Sequence, residues 1–279
     1  LAATSRSIAV PIFLDRHDLQ GLTAADIAEA HRKDLEIQDK YGVRFLTYWF
    51  DQHRSTAFCL IEAPDVETAM RVHDEAHGKV AKQVIPVDLA AVEAFLGRVT
   101  DPAKPNPDGN TAVDPALRTV MFTDIVDSTP MTARLGDSRA VEMIRAHDSV
   151  VRRALSTGNG REVKHTGDGI MASFDDTFAA AESARTIQQG FHKFNSGSDE
   201  KLRVRIGIDV GEPVADSNDL FGATVQMAAR LCAAADPDAI LISGAVHEII
   251  RDSFPSAALP ARRLKGFADP VSVYALEWR

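Results

Sequence analysis

Only two cysteines, Cys59 and Cys232, occur in the 279 residues. Each stands inside an apolar pattern, which excludes a disulfide framework and points to buried thiols in a reducing compartment. No apolar run approaches the roughly 18 residues that a membrane span needs, and no signal peptide stands out, so a cytoplasmic protein with no membrane partner is expected. Positive charge is also short. Against 40 Asp and Glu there are 31 Lys and Arg, a net charge of −9, which argues against a nucleic-acid-binding surface. Internal repeats and low-complexity tracts are missing, and the opening L-A-A-T-S-R-S has no periodicity and reads as a loose leader. What is present is ordinary globular composition, 45% hydrophobic and 25% charged, at a length that suggests two domains.

Residues 100–116 carry four prolines and no apolar period, so they can continue neither a helix nor a central strand. This linker divides a first domain, 8–99, from a second, 117–279. In the first, the patterns predict strand 8–14, helix 23–40, strands 43–51 and 55–62, helix 64–78 and strand 83–89. The order βαββαβ implies a ferredoxin-like fold with both helices on one face of an antiparallel sheet. In V-R-F-L-T-Y-W-F-D both alternating sets are largely apolar, so the helix-free face is expected to need cover from a second copy, a homodimer. The second domain reads as strand 117–124, a helix to about 157, hairpin 161–174, helix 177–194, strand 202–210 and helix 222–234. Short strands near 239–242, 261–265 and 271–276 follow. Strands and helices mixed around one hairpin make this α+β with a central, mostly antiparallel sheet.

Within F-T-D-I-V-D-S-T an apolar strand ends at Asp124 and a Ser/Thr-rich turn leads into a helix, whose first N–H groups suit phosphate. Asp168 follows 44 residues later inside K-H-T-G-D-G, at a glycine-bounded hairpin tip. Two strand-end carboxylates with no Cys or His favour Mg²⁺ or Mn²⁺, ions that complete their shell from substrate phosphates. Asp219, Gln226 and Arg230 are offset by seven and eleven positions, a narrow stripe on one helical face. A Lys donor with an Asp acceptor complements the N1 and N6-amino edge of adenine, whereas guanine presents the reverse pattern there. Taken singly, each of these residues also reads as a helix cap, a turn residue or a solvated charge.

Together with R-V-R-I-G-I-D-V-G, D-L-F-G-A-T-V-Q-M-A-A-R-L and R-L-K-G-F, these motifs make residues 117–277 resemble the catalytic domain of class III nucleotide cyclases. The resemblance implies an adenylate cyclase forming 3′,5′-cyclic AMP and pyrophosphate from ATP. It implies two Mg²⁺ or Mn²⁺ ions at Asp124, Asp168 and the adjoining Ile125, with adenine recognised by Lys164 and Asp219. Lys265 would meet terminal phosphates and Arg230 would neutralise charge growing at the α-phosphate. It also implies a homodimer, because family members draw the metal-binding Asp pair and the Lys, Asp, Asn and Arg positions from different protomers. One position departs from the pattern: Gln226 stands where the family usually has the Asn that orients the ribose, and a slower enzyme is expected. The competing reading is a catalytically weak or inactive cyclase-like scaffold joined to a transition-metal-binding sensor domain. A guanylate cyclase would need a different purine pocket.

Five of the nine histidines fall in the first hundred residues. His73 and His77 lie with Val66, Met70 and Val80 on the stripe of their helix that should face the sheet, and His31 shares a face with Ile27 and Leu35. The expectation is that these three imidazoles converge, with His17, His53, Asp34 and Cys59 as further neighbours. Imidazoles at i and i+4 suit Zn²⁺, Ni²⁺ or Cu²⁺; the alternative is a set of hydrogen-bonded core histidines or a metal-free ligand pocket. H-D-E-A-H is not a zinc-peptidase motif, since Asp74 stands at the general-base position. Residues 11–89 also resemble a small ferredoxin-like bacterial family with a nickel-binding member, through P-I-F-L-D-R-H, A-H-R-K-D-L, F-L-T-Y-W-F-D, F-C-L-I-E-A-P-D and V-H-D-E-A-H-G. A regulatory role for the first domain follows as an expectation.

Overall fold

The computed structural model describes residues 10–101, 114–212 and 222–279. They fall into two compact units, one of residues 10–93, 98–101 and 114–116, the other of 94–97, 117–212 and 222–279.

The first unit runs β1 (Ile12–Asp18), α1 (Ala24–Tyr41), β2 (Arg44–Asp51), β3 (Thr56–Glu62), α2 (Val66–His77) and β4 (Gln83–Pro86), followed by α3 (Leu89–Leu96), whose last three residues belong to the second unit. The sheet order is β2-β3-β1-β4, antiparallel throughout. Both long helices are fixed by local chemistry. Thr23 and Asp26 form a capping box before α1, Asp65 caps α2, and Gly42 and Gly78 end the two helices at φ 63° and 70°. Strand β1 starts four residues later than the expected 8–14, so Asp15 and His17 lie inside it, on the same face as Phe13. Its register sets Asp15 opposite Cys59 and Phe13 opposite Ile61. The other face is already covered within the chain. Leu14, Phe58, Leu60 and Trp49 are buried, and the Arg98 guanidinium lies 4.8 Å from the Trp49 ring.

In the second unit the elements are β5 (Arg118–Ile125), α4 (Ser128–Leu135), α5 (Asp137–Thr157), β6 (Arg161–His165), β7 (Ile170–Phe174), α6 (Thr177–Ser196), β8 (Val204–Gly211), α7 (Gly222–Ala234), β9 (Ile240–Ser243), α8 (Gly244–Ile250), β10 (Ser256–Arg262) and β11 (Val271–Leu276). The seven-stranded sheet has the order β10-β11-β9-β8-β5-β7-β6, antiparallel except for the β8–β9 pair. The expected helix up to 157 is two helices, broken at Gly136 with φ 77°. Short α8 and α3 were not expected, and the strand foreseen at 261–265 lies at Ser256–Arg262. Ile206 and Ile208 of β8 join the main core with Met121, Phe174, Ile187 and Phe191, and α7 covers the opposite face of β8 at Gly207.

That contact leaves no room for a side chain. A Cβ on Gly207 would lie 2.1 Å from the Cys232 nitrogen and 2.3 Å from the Ala228 oxygen, both backbone atoms of α7. Gly207→Ala should lower unfolding stability by about 1–3 kcal/mol, read as a lower denaturation midpoint. An unchanged midpoint would show that α7 does not rest on β8 as described.

Candidate functional site

Strand β5 ends on Asp124 and Ile125, and the β6–β7 turn carries Asp168. The two meet through the backbone: the Ile125 N–H donates to the Asp168 carbonyl at 3.0 Å. Gly169 makes this possible, because a Cβ there would stand 1.9 Å from the Thr123 carbonyl oxygen, and Gly167 turns the chain at φ 97°. Ser128, the first residue of α4, donates its hydroxyl to Asp168 Oδ2 at 2.5 Å. Asp124 Oδ2 is paired with the Arg205 guanidinium of β8, the residue opposite it in register. Both side chains of that pair are 28% exposed, so the carboxylate faces solvent and not the core.

Behind the turn lies a polar network. Thr123 Oγ1 accepts from the Ile170 N–H at 3.1 Å and is 3.3 Å from His147 Nε2. His147 Nδ1 and His165 Nε2 reach the Asp148 carboxylate at 3.0 and 3.1 Å, and the Gly167 N–H donates to His165 Nδ1 at 3.1 Å. Burial lowers the His147 pKa and so favours the neutral ring. For Asp148 burial acts upward, but the hydrogen bonds from His147 and His165 outweigh it and hold the carboxyl below its usual range.

A second group of the sequence-derived residues collects at α7. Arg230 donates Nε to the Lys265 carbonyl at 3.2 Å, and Gln226 Oε1 lies 3.8 Å from where a Cβ of Gly266 would be. Gln226 is exposed and Arg230 half-buried. Among the described residues no hydrogen bond joins Gln226, Arg230 or Lys265 to Asp124 or Asp168. Lys164 is exposed on edge strand β6. Asp219 lies outside the described residues.

In the first unit the histidines divide. His73 Nε2 is 2.7 Å from Asp15 Oδ2, and its Nδ1 is 3.1 Å from Asp34 Oδ1. His77 Nε2 is 3.2 Å from Asp34, and His17 Nε2 is 3.2 Å from Asp15. His31 goes elsewhere: it lies against Tyr48, with ring centroids 4.7 Å apart, and is 3.0 Å from Asp101. Burial works against a charged His73, but Asp15 and Asp34 outweigh it and raise its pKa to about 10. His53 joins none of the potential ligand groups among the described residues.

Residues 116–277 match the family model for the adenylate and guanylate cyclase catalytic domain. The chain belongs to this family. The adenylate cyclase of Streptomyces coelicolor is 32% identical to this cyclase-family chain over 146 residues, 52% of the chain and 37% of the relative. The adenylate cyclase of Streptomyces griseus is 31% identical over 160 residues, 57% of the chain and 38% of the relative. The chain thus spans less than two fifths of the length of either curated relative. Among solved structures, the adenylate/guanylate cyclase/hydrolase from Silicibacter pomeroyi superposes with a TM-score of 0.52 at 30% identity, covering 58% of this chain and 95% of that one. Residues 13–87 match the model of the nickel responsive protein SCO4226-like family. No described helix is long and apolar enough to cross a membrane.

Arg205 and the His147–Asp148–His165 network of this cyclase-family domain escape sequence reasoning. Arg205 and His165 lie inside the motifs R-V-R-I-G-I-D-V-G and K-H-T-G-D-G, but those motifs do not say what the two residues meet: Arg205 finds Asp124 through strand register, and Asp148 is one polar residue of a long amphipathic helix. Asp209, two residues along β8 from Gly207, is 8% exposed. Its burial raises the pKa to about 6 despite hydrogen bonds from Ser243 and the Val210 backbone. An unfolded Asp titrates near 3.9, so the penalty for ionising the buried group is absent below about pH 4, grows as pH rises through about 6 and is complete above it. Asp209→Asn should therefore stabilise the chain at pH 8, by roughly 3 kcal/mol, and lose that advantage at pH 4. Paired thermal melts across that range check it, and an advantage independent of pH would refute the assignment.

Proposed function

We propose that this chain is an adenylate cyclase, converting ATP to 3′,5′-cyclic AMP and pyrophosphate at sites shared between two copies. The observation that carries the reading is the backbone-tied pair Asp124 and Asp168. Two partly exposed carboxylates and the Ile125 carbonyl form a set of hard oxygen donors, which fits Mg²⁺ or Mn²⁺ and not a soft metal. Such ions, when bound, supply positive charge that acidifies the ribose 3′-hydroxyl and screens the phosphates.

The chain's own residues supply the rest. The Ser128 hydroxyl holds the Asp168 carboxylate in one orientation, and Arg205 sets a cation against Asp124, where it can meet a polyphosphate. At α7 the Arg230 guanidinium is tied through Nε to the Lys265 carbonyl, and its terminal nitrogens are the groups that would meet a developing phosphate charge. Lys164 and Asp219 recognise adenine, Lys265 meets terminal phosphates, and Gln226 orients the ribose. Because the carboxylates and the α7 group have no bond between them in one chain, a homodimer that sets one group against the other from the second copy suits this reading. In this reading the first unit acts as a regulator of the catalytic one.

Cyclic nucleotide formation from ATP and GTP, with Mn²⁺ and with Mg²⁺, tests the proposal. Cyclic AMP should form in preference to cyclic GMP, Asp124→Ala should reduce it to background, and Gln226→Asn should raise turnover several-fold by restoring the shorter amide. A folded, dimeric chain that makes neither product would overturn the catalytic reading in favour of a scaffold.

A further inference from the structure

Two of the most deeply buried acids of the first unit have, among the described residues, no lysine or arginine to answer them. Asp15 is 0% and Asp34 1% exposed. Among the described residues their charged partners are imidazoles: His17 and His73 on Asp15, His73 and His77 on Asp34. Carboxylates removed from water need a positive charge close by. Here that charge is left to groups that can also release their protons and bind a cation instead.

The atoms around Asp15 are of the right kind. A carboxylate oxygen of Asp15, one ring nitrogen each of His17 and His73, and Cys59 Sγ all lie within 4.8 Å of one another. A tetrahedral ion with bonds of about 2.0–2.3 Å draws its donors to about 3.3–3.8 Å apart. His17 Nε2 lies 3.2 Å from Asp15 Oδ1 and His73 Nε2 2.7 Å from Asp15 Oδ2, so each imidazole is already inside that spacing from one oxygen of the carboxylate. A cavity of about 20 Å³ is lined by His17, Cys59 and His73, room for a single water or ion.

The hydrogen bonding around the rings fits as well. His73 Nδ1 is 3.1 Å from Asp34. In the metal-free protein Nε2 also carries a proton, given to Asp15; once that proton leaves, Nδ1–H stays on Asp34 and the Nε2 lone pair is free for an ion beside Asp15, the carboxylate-held arrangement typical of a metal-binding imidazole. His17 Nδ1 is buried without a partner, so that ring too is tied only through Nε2.

We propose that Asp15, His17, Cys59 and His73 form a site for one borderline divalent transition ion of the Zn²⁺ class, with Asp34 orienting His73 from outside. Binding displaces the Cys59 thiol proton and any proton on the two Nε2 atoms into solvent. The ion's two charges then answer the Asp15 carboxylate and the Cys59 thiolate, and Asp34 keeps His77 as its partner. A thiolate and two imidazoles select against Mg²⁺ and Mn²⁺. The ligand set differs from the one that helix spacing suggests, since His31 is held by Asp101 and, among the described residues, His77 groups with Asp34 and His73 and not with Asp15 or Cys59. It stands apart from the cyclase reading, and either can fail alone.

Co²⁺ titration of the full chain, freed of metal by a chelator and kept reduced, tests it by absorption. One equivalent should produce intense visible bands of tetrahedral cobalt with a near-ultraviolet thiolate-to-cobalt band, and Zn²⁺ should erase both. Cys59→Ser should remove the near-ultraviolet band, Asp34→Asn should weaken binding about 10- to 100-fold, and His31→Ala should change neither spectrum nor affinity. Absence of a thiolate band in the unsubstituted chain at stoichiometric cobalt would overturn the proposal without reference to any variant. So would a spectrum that persists in Cys59→Ser but vanishes in His31→Ala.

Discussion

A single backbone hydrogen bond, from the Ile125 N–H to the Asp168 carbonyl, fixes how the catalytic unit presents its acids. It joins the end of β5 to the β6–β7 turn at a point where Gly169 passes too close to Thr123 for any side chain. Two carboxylates brought to one place repel each other, and one hydrogen bond contributes only about 1 kcal/mol. The surroundings supply the remainder. Arg205 answers Asp124, Ser128 holds Asp168, and Thr123 takes the Ile170 N–H while touching His147. Asp148 then ties His147 on α5 to His165 at the base of the turn, so the turn is anchored from the solvent side and from the core.

The carboxylate pair was legible because both halves carry local marks. An alternating apolar strand that stops at an acid, and an acid between two glycines, are short-range patterns. Helix α7 was legible over its full length for the same reason. Arg205 was not, because its meeting with Asp124 depends on a register across 81 residues that no local pattern encodes. Gly136 inside an otherwise periodic stretch was read through as helix, although its positive φ breaks the chain into α4 and α5. Helices α3 and α8 are shorter than three turns, too brief for a period of 3.6 to stand out.

The first unit shows how a small boundary error propagates into a site. The run from Ile8 to Leu14 is apolar enough to read as the strand, and ending it there leaves Asp15 and His17 in a loop. In the structure the strand continues to Asp18, and the period of two turns Phe13, Asp15 and His17 toward the helices. Helix periodicity correctly put His73 and His31 among buried positions, but a helical wheel gives direction without saying which strand lies beneath. His31 stands against Tyr48 of β2, whereas His73 stands over β1, where Asp15 is. Burial of Leu14, Trp49 and Leu60 within one chain likewise could not be foreseen from an alternating pattern, which shows that a face must be covered but not by what.

The two acid-containing clusters differ in the property that sorts metal ions. Asp124 and Asp168 offer oxygen only and face solvent, so an ion held there as proposed would exchange readily and keep positions for water or phosphate. Asp15 shares its neighbourhood with two imidazoles and a thiol, all buried, where a wrongly sized or hard ion would lose its water shell without recovering suitable donors. A single pool of divalent ions would therefore be divided by ligand softness and burial, with no contact between the sites required. Loading of the buried cluster would then act on catalysis only through the stability or shape of the first unit. Because an ion replaces protons in a closed core, that effect would be felt first along β1 and α2, the two elements that carry three of the four ligands.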